Sequence, residues 1–187
     1  MFKDALQKLS VPGAVGVLPT DTVYGLVARA NDEATVKRLY DLKLREGKPG
    51  TIIAASIQQL IELGLKPRYL KAVEQFWPGA VSVIIPCGPE LEYLHEGTYG
   101  LAVRIPAPKD LRDFLKQTGP LLTSSANHSG EPTAATLQQA KKYFGKNVDF
   151  YVDGGDLSNH APSTIVRIVD DAIEIVREGA VKIKENE

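Results

Sequence analysis

Pro19-Thr20-Asp21-Thr22-Val23-Tyr24-Gly25 follows the apolar run Val15-Gly16-Val17-Leu18 and sets two hydroxyls, a carboxylate, a phenol and a glycine within one turn. A strand that ends this way brings polar side chains and backbone N–H groups to the edge of a sheet, which in open α/β sheets is where ligands sit. A plainer reading of the same residues is a solvated strand-to-loop junction in which Asp21 makes an Asx turn. What the rest of the chain builds around this stretch decides between the two.

Upstream, residues 4–10 form a short helix closed by Pro12-Gly13, and residues 15–18 form a strand. Downstream, Asn31-Asp32 offers N-caps, and Val36, Leu39, Tyr40 and Lys43 fall at helical spacing, predicting a helix over 33–43. A strand over 51–55, a helix that starts after Ser56 and runs to Leu63, and a helix over 67–77 halted by Trp77-Pro78-Gly79 come next. Strands are expected over 80–85, 101–105, 121–123 and 148–152, with helices over 109–117 and 136–144 between them. Residues 164–169 and 172–176, joined by Asp170-Asp171, read as a hairpin. Strands and helices alternate, but not strictly. That pattern predicts an α/β fold of mixed α+β character, a twisted mixed sheet with flanking helices.

The 187 residues are most simply one domain, residues 1–187, with a core of ordinary size. Hydrophobic residues make up 43% and charged residues 24%, and the formal net charge of −1 supplies no global pull toward a polyanion. The single cysteine, Cys87, excludes an intrachain disulfide and fits a reducing compartment. With no long apolar run at the start, neither a signal peptide nor a membrane span is expected, and a cytoplasmic protein is the default.

Polar clusters recur after predicted strands, at residues 20–24, 124–129 and 163–164, while Lys43, Arg45 and Lys48 follow a predicted helix. If these meet, they form a hydroxyl-lined pocket walled by cations, suited to an anionic ligand with several oxygens. Lys43 and Arg45 read equally as a solvated helix end complementing the helix dipole. Residues 124–130 read also as a turn, since Ser, Asn and Gly all favour turns. The P-loop pattern and Gly-x-Ser-x-Gly are absent. His95, His128 and His160 lack metal-ligand spacing, and of the three only His128, beside Asn127, draws attention.

Seven motifs stand in order: Pro-Thr-Asp-Thr-Val-Tyr-Gly-Leu, Lys-x-Arg, Trp-Pro-Gly, Val-Arg-Ile-Pro, Ser-Ala-Asn-x-Ser-Gly, Pro-Ser-Thr-Ile-Val and Arg-Glu-Gly. Together they resemble the YrdC-like threonylcarbamoyl-adenylate synthase family, across nearly the whole chain. The resemblance implies a central, positively charged cavity and a reaction of L-threonine, bicarbonate and ATP that yields threonylcarbamoyl-AMP and pyrophosphate. It implies a role in threonylcarbamoyladenosine modification of tRNA, Mg²⁺ arriving with ATP, no prosthetic group, and downstream tRNA threonylcarbamoyl-transfer proteins as partners. Because the nucleophile is a substrate carbamate, the protein needs cations, hydroxyls and N–H groups rather than an activated Ser or Cys.

Carried over position by position, the resemblance makes Lys43, Arg45, Ser125 and Asn127 the catalytic set. It gives L-threonine to Thr22, Arg104, Ser125 and Ser163, and ATP to Arg45, Lys48, Asn127, Thr136 and Arg177. An arginine fork on the amino-acid carboxylate gives Arg104 its physical sense. Glu46-Gly47-Lys48-Pro49-Gly50 departs from the family's Pro and Asn-Pro-Leu after Lys-x-Arg. The sequence stops soon after Arg177-Glu178-Gly179, which matches the short family form without the additional C-terminal domain. Two rival readings remain: a module of the same fold that binds double-stranded RNA or tRNA weakly without synthase activity, and a carbamoyl-transfer domain of the hydrogenase-maturation kind. In this reaction Asp21 is expected to do little beyond shaping its turn.

Overall fold

Residues 1–44, 48–170 and 172–183 are described by the computed structural model. Val15–Pro19 (β1) and Tyr24–Arg29 (β2) form an antiparallel hairpin with Pro19 opposite Tyr24, so residues 20–23 are the connecting turn. The remaining strands are Thr51–Ile53 (β3), Val81–Pro86 (β4), Gly100–Arg104 (β5), Leu121–Ser125 (β6), Phe150–Tyr151 (β7), Thr164–Val169 (β8) and Ala172–Arg177 (β9). They join in one sheet of order β7-β1-β2-β6-β3-β5-β4-β8-β9. The pairs β1/β7, β3/β5 and β4/β8 are parallel and the others antiparallel, so the sheet is mixed as the sequence predicts.

Helices cover both faces, which is why the central strands read as unbroken apolar runs rather than alternating ones. Leu26 and Ala28 of β2 pack with Val36 and Leu39 of α2 (Glu33–Lys43), Leu60 of α3 (Ile57–Glu62) and Leu70 of α4 (Pro67–Ala72). Val27, between them, points to the opposite face with Leu9 of α1 (Lys3–Leu9) and Phe114 of α6 (Lys109–Thr118). On the first face lie also α5 (Glu92–His95) and α7 (Leu137–Phe144).

Local chemistry sets the helix ends. The Asp32 carboxylate accepts from the Thr35 N–H and starts α2, and the Ser56 hydroxyl does the same for Gln59 ahead of α3. The predicted helix over 67–77 is shorter than expected: α4 stops at Ala72, where Val73 leaves helical geometry (φ −122°) to bury its side chain, and a 3-10 turn, Glu74–Phe76, follows. The strand expected over 148–152 is regular only at Phe150–Tyr151, although the Asp149 and Val152 N–H groups on either side still donate to the Val15 and Val17 carbonyls, and the Asp149 carboxylate takes the Val15 N–H at 2.8 Å. Helix α5 carries no periodic signal, being one turn long. The predicted hairpin near the end is β8–β9, and Asp171 of its turn lies outside the described residues. No helix among the described residues is long and apolar enough to cross a membrane.

Candidate functional site

Thr20 shapes the turn between β1 and β2. Its hydroxyl donates to the Val23 carbonyl at 2.7 Å and receives the N–H groups of Thr22 and Val23 at 3.2 and 3.3 Å. The Asx-turn role considered for Asp21 is therefore taken by Thr20, and the Asp21 carboxylate turns to Arg104 instead. Thr22, only 4% exposed, stands beside Thr20 with its hydroxyl oxygen 3.1 Å away. Gly25 is needed where β2 meets β6, since a Cβ there would lie 2.4 Å from the Thr123 hydroxyl oxygen. That close approach brings Thr123, Ser124 and Ser125 up against the turn.

A cleft of about 120 Å³ opens at this point, and the ends of distant strands wall it. Thr20, Thr22 and Gly25 line it from the first hairpin, Ser124 and Ser125 from β6, Arg104 from β5, Ser163 from the approach to β8 and Arg177 from β9. Five sequence-predicted residues, Thr22, Arg104, Ser125, Ser163 and Arg177, thus meet although they are far apart in the chain.

Arg104 is buried and held on two sides. Its Nε and Nη2 donate to the Asp21 carboxylate, Nη2 to Oδ1 at 2.9 Å, while Nη1 donates to the Ser82 hydroxyl at 2.9 Å. A guanidinium carries five N–H donors. Three are spent on these contacts, which leaves one on each terminal nitrogen, the pair a carboxylate takes in a bidentate contact. The Ser82 hydroxyl continues to Ser163 Oγ at 2.9 Å, and Arg177 Nη2 donates to the Ser163 carbonyl at 2.7 Å and to its Oγ at 3.2 Å. Because Asp21 offsets the charge of Arg104, what the described residues form is an open, hydroxyl-rich cleft with Arg177 on its rim.

Lys43 lies behind the cleft, not in it. Only 1% exposed, its ammonium donates to the Ser125 carbonyl at 2.6 Å, the Asn127 carbonyl at 2.6 Å and Asn127 Oδ1 at 3.0 Å. Asn127 Oδ1 also accepts from the Ser125 hydroxyl at 2.6 Å, and its Nδ2 donates to the Glu131 carbonyl at 2.6 Å. Lys43 is thus no solvated helix end. It fixes the backbone after β6 and thereby the direction in which Ser125 and Asn127 point. Tyr24 anchors the other flank, donating to the Gly155 carbonyl at 2.9 Å and accepting the Gly154 N–H at 2.7 Å, and burial raises the pKa of its phenol.

Asn127 and two further expected residues stand apart from the cleft lining. The Thr136 hydroxyl accepts from the Gln139 N–H as the N-cap of α7 and does not line the cleft. Lys48 is exposed and also apart from the lining, and Arg45 lies outside the described residues. His128 packs edge-on against Tyr143 and Phe144, and its Nδ1 is buried without a hydrogen bond among the described residues. The Cys87 thiol is pushed up to about 11 by burial and by Glu90, the state of an inert thiol. Among the described residues no group of three His, Cys, Asp or Glu could hold a metal ion.

Sequence reasoning missed Asp21 as the partner of Arg104 and missed Ser82 altogether. The available signal was Ser82 itself, one hydroxyl in the apolar run Ala80-Val81-Ser82-Val83-Ile84-Ile85. A polar group on a strand buried on both sides must find a partner.

Known proteins share the sequence pattern and the fold. The threonylcarbamoyl-AMP synthase of Saccharophagus degradans is 33% identical over 168 residues, covering 86% of this chain and 87% of that protein. The threonylcarbamoyl-AMP synthase of Bacillus subtilis is 32% identical over 89% of this chain but only 50% of its own length. The crystal structure of P. abyssi Sua5 complexed with L-threonine superposes with a TM-score of 0.83 at 29% identity, covering 94% of this chain and 53% of the other. The chain therefore spans nearly all of one relative and about half of the other two. A sequence model of the Sua5/YciO/YrdC family, described as telomere recombination, matches residues 9–179. This chain belongs to the Sua5/YciO/YrdC family.

Proposed function

We propose that this protein is an L-threonylcarbamoyladenylate synthase, a nucleotidyltransferase that forms threonylcarbamoyl-AMP and pyrophosphate for tRNA modification. The observation that carries the reading is Arg104, buried at the cleft with one N–H left on each terminal nitrogen and with Thr22, Ser125 and Ser163 around it. This is the donor set an α-amino acid with a hydroxyl side chain asks for: a guanidinium fork for its carboxylate and small hydroxyls for its polar groups. Relatives over most of the chain carry the synthase name, and one relative binds L-threonine.

In this reading the threonine amine captures bicarbonate as a carbamate, with loss of water. A carbamate oxygen then attacks the α-phosphorus of ATP and pyrophosphate departs. The chain's own residues orient the reactants and offset charge. Arg104, Thr22, Ser125 and Ser163 hold threonine, while Arg45, Lys48, Asn127, Thr136 and Arg177 hold ATP. Lys43 keeps Ser125 and Asn127 in position. Asp21 is engaged by Arg104, and no carboxylate lines the cleft among the described residues. Mg²⁺ arriving with ATP would find no carboxylate ligand among the described lining residues, and the chemistry it would supply is charge neutralisation on the phosphates.

The competing RNA-binding reading has less behind it. The net charge is −1, and the cleft's buried arginine already has a carboxylate partner, whereas phosphate backbones are held by clustered cations. Purified protein supplied with L-threonine, bicarbonate, Mg²⁺ and ATP should release pyrophosphate only when threonine is present. Threonine-independent release, or none, together with retention of tRNA on the protein, would decide for the RNA-binding module.

A further inference from the structure

The two arginines fix the direction of every proton in the chain of contacts between them. Arg104 can only donate, so its 2.9 Å contact makes the Ser82 oxygen an acceptor there. The one Ser82 proton then goes to Ser163 Oγ, also at 2.9 Å. Arg177 likewise can only donate, and it reaches the same Ser163 Oγ at 3.2 Å. Both acceptor positions of the Ser163 oxygen are thereby filled, and its own proton is the one group left to meet a ligand.

We propose that Ser82 is a positioning residue for amino-acid binding: it sets the plane of the Arg104 guanidinium and, through its proton, commits Ser163 to act as a donor toward the ligand. Ser82 is fully buried on β4 and does not line the cleft, so it acts only through these two neighbours. The consequence is chemical selection. A Ser163 hydroxyl held as a donor donates to an oxygen of the bound amino acid, its carboxylate or its hydroxyl, and turns away an ammonium group, which is itself only a donor. This rests on the reading of the cleft as the L-threonine site.

Calorimetric titration of L-threonine, and separately of MgATP, into the full chain tests it. Wild type, Ser82→Ala, Ser163→Ala and the double variant are compared after their folding is checked by thermal melting. Ser82→Ala should weaken threonine binding about tenfold, the scale of one net hydrogen bond to a charged or oriented group, and leave ATP affinity within twofold. The double variant should lose less threonine affinity than the two single losses combined, because the part of the Ser82 effect that runs through Ser163 is already gone in Ser163→Ala. If Ser82→Ala gives no cooperative melt, Ser82→Cys, of similar size but a weak acceptor, takes its place in the same comparison. Threonine affinity unchanged in the Ser82 variant, or losses that simply add in the double variant, would overturn the proposal while leaving the threonine site standing. Wild-type protein that binds no L-threonine would remove the functional reading and this proposal with it.

Discussion

Asp21 and Arg104 form a side-on fork in which Oδ1 accepts from Nε at 3.2 Å and from Nη2 at 2.9 Å, with both side chains 3% exposed. Removing one partner of such a pair leaves a buried charge without compensation, at a cost of about 3–5 kcal/mol. Asp21→Ala should therefore lower the urea midpoint sharply and weaken L-threonine binding, because Arg104 loses the partner that aims it. Asp21→Asn, which keeps an acceptor, should lose less of both. An Asp21→Ala variant as stable as wild type would show that the pair stabilises nothing.

Lys43→Met carries a different expectation from that of a solvated lysine. Its three N–H groups hold the backbone and side chain of the 125–127 segment, and hydrogen bonds to charged groups contribute about 1.5–3 kcal/mol each when lost. The variant should lose pyrophosphate release and also melt at a lower temperature. Loss of turnover with an unchanged melting temperature would move Lys43 from the scaffold to direct contact with substrate.

Thr136→Ala removes the hydroxyl that caps α7 and should cost about 1 kcal/mol of stability. Thr136→Ser restores the cap and should restore the stability. Both are read from denaturant midpoints, with ATP affinity measured alongside to test the nucleotide role proposed for this residue.

Acid should destabilise the protein partly through Asp113. Hydrogen bonds from Lys109 and Lys116 hold its carboxyl down to about 2, below its ordinary value of 3.8. A depressed folded-state value means that the contribution is present above about pH 4 and is lost as the pH falls through about 2. Asp113→Asn should flatten the fall in melting temperature between those limits, and added salt should shrink the difference because the group is partly open to solvent.

Cys87 offers a check on burial. With its thiol pushed up to about 11, alkylation by iodoacetamide at pH 8 should be much slower than for a free thiol and should rise steeply only above pH 10. Rapid labelling at neutral pH would mean that the strand end carrying Cys87 opens.

Much of the fold was legible because local signals and burial agreed. Asp32 as a cap and Val36, Leu39, Tyr40 and Lys43 on one face located α2 to the residue. The apolar runs around Val17, Ile52 and Leu122 announced strands, whereas β2 around Leu26 was not among those expected. The order of the strands among the described residues was not legible, since nothing local places β6 between β2 and β3. In the cleft, polar residues at strand ends could be picked out, but their pairings could not. Asp21 meets Arg104 only because the β1–β2 turn and the end of β5 converge in space. Thr136 and Lys43 also carry structural duties, a helix cap and a staple on the loop after β6, that nothing local in the sequence announces.

The cleft is assembled from the first hairpin and from Arg177 of β9, so no fragment that lacks either of them possesses it. A ligand bound there recognises only the fully folded chain, and its binding free energy is added to global stability instead of to one local segment. Saturating L-threonine should thus slow hydrogen exchange in the slowest, globally exchanging amides of the sheet as much as in the turn that touches it. The small molecule would act as a clasp on the whole folding equilibrium.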